Sequence, residues 1–347
     1  TSPSSTPPSK LRQLFRDHCL YHPLIWNLFT ARFLAHRPLQ PEPGQAINAG
    51  QTTAQLLQSS PQNLLVLHFF GGSDAEAVLT EALLAHLPVA LLNHYSNDRF
   101  LHLAIRKHTL LAHGIAGVNS LQVPHYLHPR FVNLSDGIDP SFFQRSLAQP
   151  LTTPPSTPFI FLPARIIREK GQLDLVHALA SLHRSGIPAS LALAGRIDHP
   201  SFATELSQTI AHAGLSPFVH FLGDLSPTLL RDWYAAATVV AFPTYHHEGL
   251  GRVILEAQSM ETPVVAYATG GVPDAIVTGK TGLLIPTGNL PELTASLASL
   301  LSSSTLRLSL TSNARLSIET HFSLSALAER HERFYLQVIS QFSKRHP

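Results

Sequence analysis

His246-His247-Glu248-Gly249-Leu250-Gly251-Arg252-Val253-Ile254-Leu255-Glu256-Ala257 lies between two apolar runs, Val239-Val240-Ala241-Phe242-Pro243 before it and Pro263-Val264-Val265-Ala266-Tyr267 after it. Short apolar runs rich in valine read as buried strands, and the stretch between them reads as a glycine-rich turn followed by a helix. Strand, turn, helix and strand make one unit of a parallel sheet, the architecture that binds ligands outside the carboxyl ends of its strands. With a helix starting near Gly251, Glu248 lies in the loop at its amino end. Glu256 projects from the second turn, up to roughly 12 Å away by helical rise. Gly249 and Gly251 let the backbone approach a ligand, and the unpaired N–H groups of a helix start favour an anion. A phosphate near Gly251 leaves each glutamate to accept hydrogen bonds from hydroxyls on either side. Taken alone, the stretch also reads as a solvated turn whose glutamate caps a helix.

The same alternation extends outward in both directions. Strands are expected near 159–163, 190–194, 219–222, 238–242, 263–267 and 282–285, with helical stretches between them and a last helix, 324–341, capped by Ser323. Upstream, Asn63–Phe69 and Val89–Asn93 read as strands and 74–86 and 98–112 as helices. Gly117-Val118 and Phe131–Leu134 are further strand candidates. The proline- and threonine-rich stretch 149–158 breaks the pattern and is the linker candidate. The expected layout is a disordered tail at 1–10, a helical segment at 11–60, a first Rossmann-like domain at 61–148, the linker, a second Rossmann-like domain at 159–322 and a carboxy-terminal segment at 323–347.

Composition narrows the classes of function. The 347 residues carry a net charge of +2 with 21 histidines, and only 13% are charged. The lysines are scattered, so nucleic acid is not an expected partner. Cys19 is the single cysteine and has no internal disulfide partner. No apolar run reaches the roughly 18 residues of a membrane span, and no signal peptide is evident. A cytoplasmic protein is the expectation. The chain opens on Thr1, as a fragment or a processed chain would. Residues 11–39 fit two short amphipathic helices with basic and aromatic side chains. They suit docking on the body of the protein and leave open a peripheral contact with the inner membrane face.

Chemistry concentrates in the second half. Pro163-Ala164-Arg165-Ile166-Ile167-Arg168-Glu169-Lys170-Gly171 follows the strand at 159–163. Arg165 stands where that strand ends and Lys170 where the next helix opens, so both could meet one anion, and two fixed cations suit a diphosphate. Thr269-Gly270-Gly271-Val272-Pro273-Asp274 is a second glycine turn that offers N–H groups to the same region.

The ordered set Ala164-Arg165…Glu169-Lys170-Gly171, Phe221-Leu222-Gly223, Glu248-Gly249-Leu250-Gly251…Leu255-Glu256-Ala257, Thr262–Ala266, Gly270-Gly271-Val272-Pro273 and Thr281–Ile285 resembles the donor half of retaining glycosyltransferases of family 4. The resemblance covers 159–342 and implies the GT-B fold, an α/β architecture of two facing doubly wound domains with a cleft between them. It implies that Arg165 and Lys170 hold the diphosphate of a nucleotide sugar, that Glu256 binds the ribose hydroxyls and that Glu248 binds the transferred sugar. Gly223, Gly249, Leu250 and Gly251 complete the donor site. In the first domain the resemblance points to His94, in Leu91-Leu92-Asn93-His94-Tyr95, as the histidine facing the donor sugar. His68, His246 and His247 are secondary candidates, and Asp98 and Arg99 are expected to shape the acceptor side. Asp136-Gly137-Ile138-Asp139 resembles an Asn-Gly-Val-Asp motif, with Asp136 in place of the asparagine. The opening strand and glycine loop of the family have no counterpart in residues 1–60, so the first domain is expected to be abbreviated.

By resemblance the reaction moves a sugar, with retention, from the donor to an acceptor hydroxyl of a glycan, a lipid-linked glycan or a small molecule. His94, Glu248, Arg165 and Lys170 carry it. No cofactor is implied, and without an Asp-x-Asp motif no metal is expected either. A nucleotide-sugar-binding protein with a degenerate first domain and little or no activity stays open as the second reading. A dinucleotide-dependent oxidoreductase is disfavoured, since no Gly-x-Gly-x-x-Gly follows a strand.

Overall fold

A computed structural model describes residues 65–68, 88–93, 113–118 and 131–345. The segments expected at 1–10, 11–39, 74–86 and 98–112 lie outside these residues. The described residues fall into two units: 65–68, 88–92, 113–114 and the chain from Val338 belong to one, and Asn93 and 115–337 to the other.

Strands β1 (Leu65–His68), β2 (Val89–Asn93), β3 (Gly114–Gly117) and β4 (Phe131–Asn133) form a sheet in the order β1-β2-β3-β4. The register of β1 on β2 and of β3 on β4 is parallel. The strand expected at Gly117-Val118 is displaced to Gly114–Gly117, because the residues that pack inward are Ile115 and Ala116.

The larger unit is built on six parallel strands: β5 (Phe159–Pro163), β6 (Ser190–Ala194), β7 (Val219–Gly223), β8 (Val239–Phe242), β9 (Val264–Tyr267) and β10 (Leu283–Ile285). Their order is β10-β9-β8-β5-β6-β7. Four of them, β5, β6, β8 and β9, are buried almost along their whole length, which is why their sequences read as unbroken apolar runs rather than alternating ones. Helices α1 (Gln172–Arg184), α2 (Pro200–His212), α3 (Pro227–Ala236), α4 (Arg252–Ser259), α5 (Val272–Ala275), α6 (Leu290–Ser302) and α7 (Ser304–Ser317) complete the crossovers. Phe161, Tyr234 and Tyr267 are the largest side chains buried among them. The final helix, α8 (Leu324–Arg345), starts where the Ser323 hydroxyl accepts from the Ala326 N–H at 3.2 Å.

The chain enters this sheet at β5, builds outward to β7 on one side, then returns to lay β8 against the other side of β5. The loops after β5 and β8 therefore leave from neighbouring strand ends. Such a reversal of strand order is where doubly wound sheets bind ligands.

Candidate functional site

The loop after β5 keeps close to the sheet. Ala164 N–H donates to Ala194 O at 2.8 Å and Ile166 N–H to Arg196 O at 2.9 Å. A single 3-10 turn, Arg168–Lys170, then ends on Gly171, which is left-handed at φ 75° and starts α1. Lys170 thus ends the 3-10 turn two residues before the helix rather than opening it. A Cβ on Gly171 would lie 2.0 Å from Pro243 O, so only glycine lets the loops after β5 and β8 touch. Their contact is sewn by hydrogen bonds: Tyr245 N–H donates to Glu169 O at 2.7 Å and the Thr244 hydroxyl donates to the same oxygen at 3.1 Å.

That contact brings Lys170 to Glu248. The Lys170 ammonium and Glu248 Oε1 form an ion pair with side chains only 11% and 18% exposed. The ammonium also stands 5.5 Å from the centre of the Phe242 ring, within cation–π range. The backbone of Glu248 is fixed from behind by the second glycine turn. Gly271 N–H donates to Glu248 O at 2.9 Å, and a Cβ on Gly270 would fall 2.5 Å from that oxygen. The Gly270-Gly271 pair, expected to offer its N–H groups to a ligand, spends the second of them on the glutamate loop.

Arg165 and Lys170, expected to meet one anion, engage different carboxylates. Arg165, half exposed, pairs with Asp198 at 2.8 Å, and Arg196 binds the other oxygen of Asp198 at 2.6 Å. The hydrogen bonds from Arg165 and then Arg196 hold the Asp198 carboxyl below the ordinary range. Gly223, left-handed at φ 66°, closes the neighbouring strand end, its carbonyl accepting from Gly195 N–H at 2.7 Å.

Helix α4 begins at Arg252 behind Gly251, which is left-handed at φ 84°, and no side chain caps it. Leu250 is buried beneath the turn. Glu256 lies in the second turn of α4, as expected, but 8% exposed. The Tyr234 hydroxyl donates to its Oε2 at 2.9 Å and Arg252 stands 3.8 Å from its Oε1. Burial raises the Glu256 pKa above its ordinary 4.5, the Tyr234 bond and Arg252 oppose the shift, and the charge of Asp136 adds to it. A carboxyl whose pKa is raised on folding gives stability that is complete below 4.5 and is lost as pH rises through its folded value. Glu256→Gln removes that loss. Its melting temperature is expected to equal that of wild type in acid and to exceed it near neutrality, by roughly 2–4 °C for each kcal/mol recovered. A gap that fails to widen with pH would count against a strained Glu256.

His94, Asp98 and Arg99 lie outside the described residues, and His68 ends β1 with its side chain undescribed. His246 and His247 are exposed on the loop before Glu248. Asp136 accepts from Gly137 N–H at 2.8 Å. Phe242, Thr244, Asp198 and Tyr234 were not singled out in the sequence. Thr244 and Phe242 flank the end of an expected strand, so position alone could have flagged them. Asp198 and Tyr234 carried no local signal. Among the described residues, no group of three or more His, Cys, Asp or Glu side chains stands together as a metal site requires.

Comparison with known sequences places this geometry. Residues 144–317, half of the chain, match the model of the family described as glycosyl transferases group 1. The chain belongs to that family. A D-inositol 3-phosphate glycosyltransferase of Kribbella flavida is 38% identical over 104 residues, 30% of this chain and 24% of the relative. A GDP-mannose-dependent mannosyltransferase of Corynebacterium glutamicum, acting on a monoacylated phosphatidylinositol monomannoside, is 30% identical over 220 residues, 58% of this chain and 55% of the relative. The chain thus spans about a quarter of the first and about half of the second. Among solved structures, a glycosyltransferase from Rickettsia africae superposes with a TM-score of 0.73 at 18% identity, covering 87% of this chain and 84% of the other. Anabaena HepE, in complex with UDP, superposes at 0.66 and 20% identity, with 82% and 81% covered. These likenesses show the GT-B fold for this member of the group 1 family. Where the first domain was expected to be abbreviated, in residues 1–60, the chain lies outside the described residues. Among the described residues no helix is long and apolar enough to cross a membrane.

Proposed function

We propose that this chain is a retaining glycosyltransferase of family 4 that moves a sugar from a nucleotide diphosphate sugar to an acceptor hydroxyl, without a metal. The observation that carries this reading is the meeting of Lys170 and Glu248 at the strand-order reversal, beside the uncapped amino end of α4. On this reading the donor diphosphate takes the Lys170 ammonium from Glu248, and Glu248 turns to the hydroxyls of the sugar. Arg165 meets the diphosphate from the β5 end, with the backbone of Gly249, Leu250 and Gly251 on the other side. Glu256 receives the ribose hydroxyls.

The barrier to transfer lies in the departure of the diphosphate from an oxocarbenium-like carbon. Fixed cations and N–H groups aimed at the leaving oxygen lower that barrier most, because they strengthen as its charge grows. The C–O bond to the leaving phosphate breaks as the acceptor oxygen approaches the same face. The acceptor proton passes to the departing phosphate oxygen, so the configuration is retained and no carboxylate nucleophile is used. His94 is assigned to the sugar from the first domain.

A melting-temperature screen against UDP-, GDP- and ADP-sugars tests this reading. At a hundredfold excess over Kd the matching donor should stabilise the protein by about 2.7 kcal/mol. Binding followed by sugar transfer supports the enzyme. Binding without transfer or donor hydrolysis would leave a nucleotide-sugar-binding protein, and no shift with any donor would sink both.

A further inference from the structure

Asp174 lies in the first turn of α1, three residues after Gly171. Its Oδ2 accepts two hydrogen bonds, from the Tyr245 hydroxyl at 2.7 Å and from the Tyr267 hydroxyl at 2.6 Å. The two rings meet edge to face, their centres 5.5 Å apart. Tyr267 is the fully buried last residue of β9, whereas Tyr245 is 44% exposed and stands three residues before Glu248. Beside them is a depression of about 390 Å³ that Asp174 and Tyr245 line with Arg168, Glu169, Gly171 and Leu173. Burial and the bond to Asp174 together raise the pKa of both phenols, so each remains a donor through neutral pH.

The two tyrosines lead to the two supports of Glu248. Tyr245 belongs to the loop that carries Glu248, and its N–H is already bound to Glu169 O. Tyr267 leads through Ala268 into Thr269-Gly270-Gly271, whose last N–H holds Glu248 O. One carboxylate oxygen therefore ties the start of α1 to both segments that set the glutamate. An acidic side chain in the first helical turn is also favoured by the helix dipole. None of this is needed to hold the sheet together, since β8 and β9 are already paired along their length.

We propose that Asp174 is a positioning residue: through Tyr245 and Tyr267 it fixes the Glu248 loop against the Lys170 turn and thereby sets the placement of the donor sugar. The proposal rests on the reading of Glu248 and Lys170 as donor-site residues. Its effect should fall on turnover more than on nucleotide binding, because the cluster holds the loop that carries the sugar-binding glutamate, while its hydrogen bonds reach neither the Arg165 nor the Lys170 side chain. Displacements of about 1 Å in a reacting geometry can cost on the order of a hundredfold in rate.

The informative variant is Asp174→Leu/Tyr245→Phe/Tyr267→Phe, which removes the carboxylate and both hydroxyls together and leaves no buried polar group without a partner. Its folding stability should lie near that of wild type. Its kcat should fall at least tenfold, while KM for the donor and the Kd for the free nucleoside diphosphate change less than twofold. Asp174→Asn retains an acceptor oxygen and should recover most of the lost kcat. Hydrogen exchange of the ligand-free protein reads the same loop without catalysis: amides of 245–249 and Gly271 should exchange at least tenfold faster in the triple variant, with strand amides unchanged. Wild-type exchange rates at those amides, or an unchanged kcat in the triple variant, would overturn the proposal. A wild type that neither binds nor turns over any nucleotide sugar would instead remove the donor-site reading on which it rests, and with it the role assigned to Asp174, whatever the exchange shows.

Discussion

Lys170→Met is expected to lower sugar-transfer kcat by about 10²–10³, the usual cost of deleting one fixed donor to a developing oxyanion. It should also destabilise the fold by about 3–5 kcal/mol, because it strands Glu248 in a site with little access to water. The two effects separate in the double variant. Lys170→Met/Glu248→Leu removes both charges, so its stability should return to within about 1 kcal/mol of wild type or exceed it, as replacement of whole buried ion pairs often does. Its activity should not return. Urea unfolding of wild type, both single variants and the double gives the coupling energy directly. If the loss in the double variant equals the sum of the two single losses, the pair is not coupled and its place at the centre of the site is wrong. Glu248→Gln alone keeps the side-chain length and an acceptor, and should lose less stability than Lys170→Met while still impairing turnover.

Gly171→Ala is the second large effect, expected to cost about 4 kcal/mol or more, in the range that marks a specific steric failure. Two causes add. Alanine in the left-handed region costs about 1–2 kcal/mol wherever it occurs. Here its Cβ would also meet the Pro243 carbonyl at 2.0 Å, and neither backbone can yield without separating the loops after β5 and β8. Gly186 and Gly214 provide the control, since both are left-handed and have no neighbour within 4 Å of a Cβ. Their alanine variants should show the conformational cost alone. Donor binding should survive in Gly186→Ala and Gly214→Ala and weaken in Gly171→Ala. Equal melting temperatures for all three would mean that the Gly171 contact carries no weight.

Much of the larger unit was legible because its signals are local. Val239–Phe242, Val264–Tyr267 and Phe159–Pro163 are strands buried on both faces, and such strands advertise themselves as continuous apolar runs. The weaker case is instructive. At β3 the expected Gly117-Val118 came out as Gly114–Gly117, since four small or apolar residues carry too little period to set a boundary. Glycine turns were equally readable, because a residue without Cβ is placed where the chain must be left-handed or crowded. Gly171 and Gly270 are both, since a Cβ added to them would fall 2.0 and 2.5 Å from a neighbouring carbonyl oxygen.

The candidate site was legible only as a set of residues. Arg165, Lys170, Glu248, Gly251 and Glu256 stand at strand ends or helix starts, as their spacing indicated. Their partners did not follow from spacing. Arg165 turns to Asp198, Glu256 is covered by Tyr234, and Asp174 collects two tyrosines, one from the loop after β8 and one from the end of β9.

By itself, the sequence determined that residues 159–341 alternate strand and helix, where glycine turns fall, and which charged residues cluster at strand ends. These properties depend on periods of a few residues and on the steric demands of single positions. The tertiary structure alone decided that Lys170 neutralises Glu248, 78 positions away, and that the glycine turn at 270 supports the glutamate rather than waiting for a ligand. The physical reason is the strand order. Laying β8 beside β5 brings two loops from distant parts of the chain into contact, and which charges then pair depends on that adjacency, which no short-range pattern encodes.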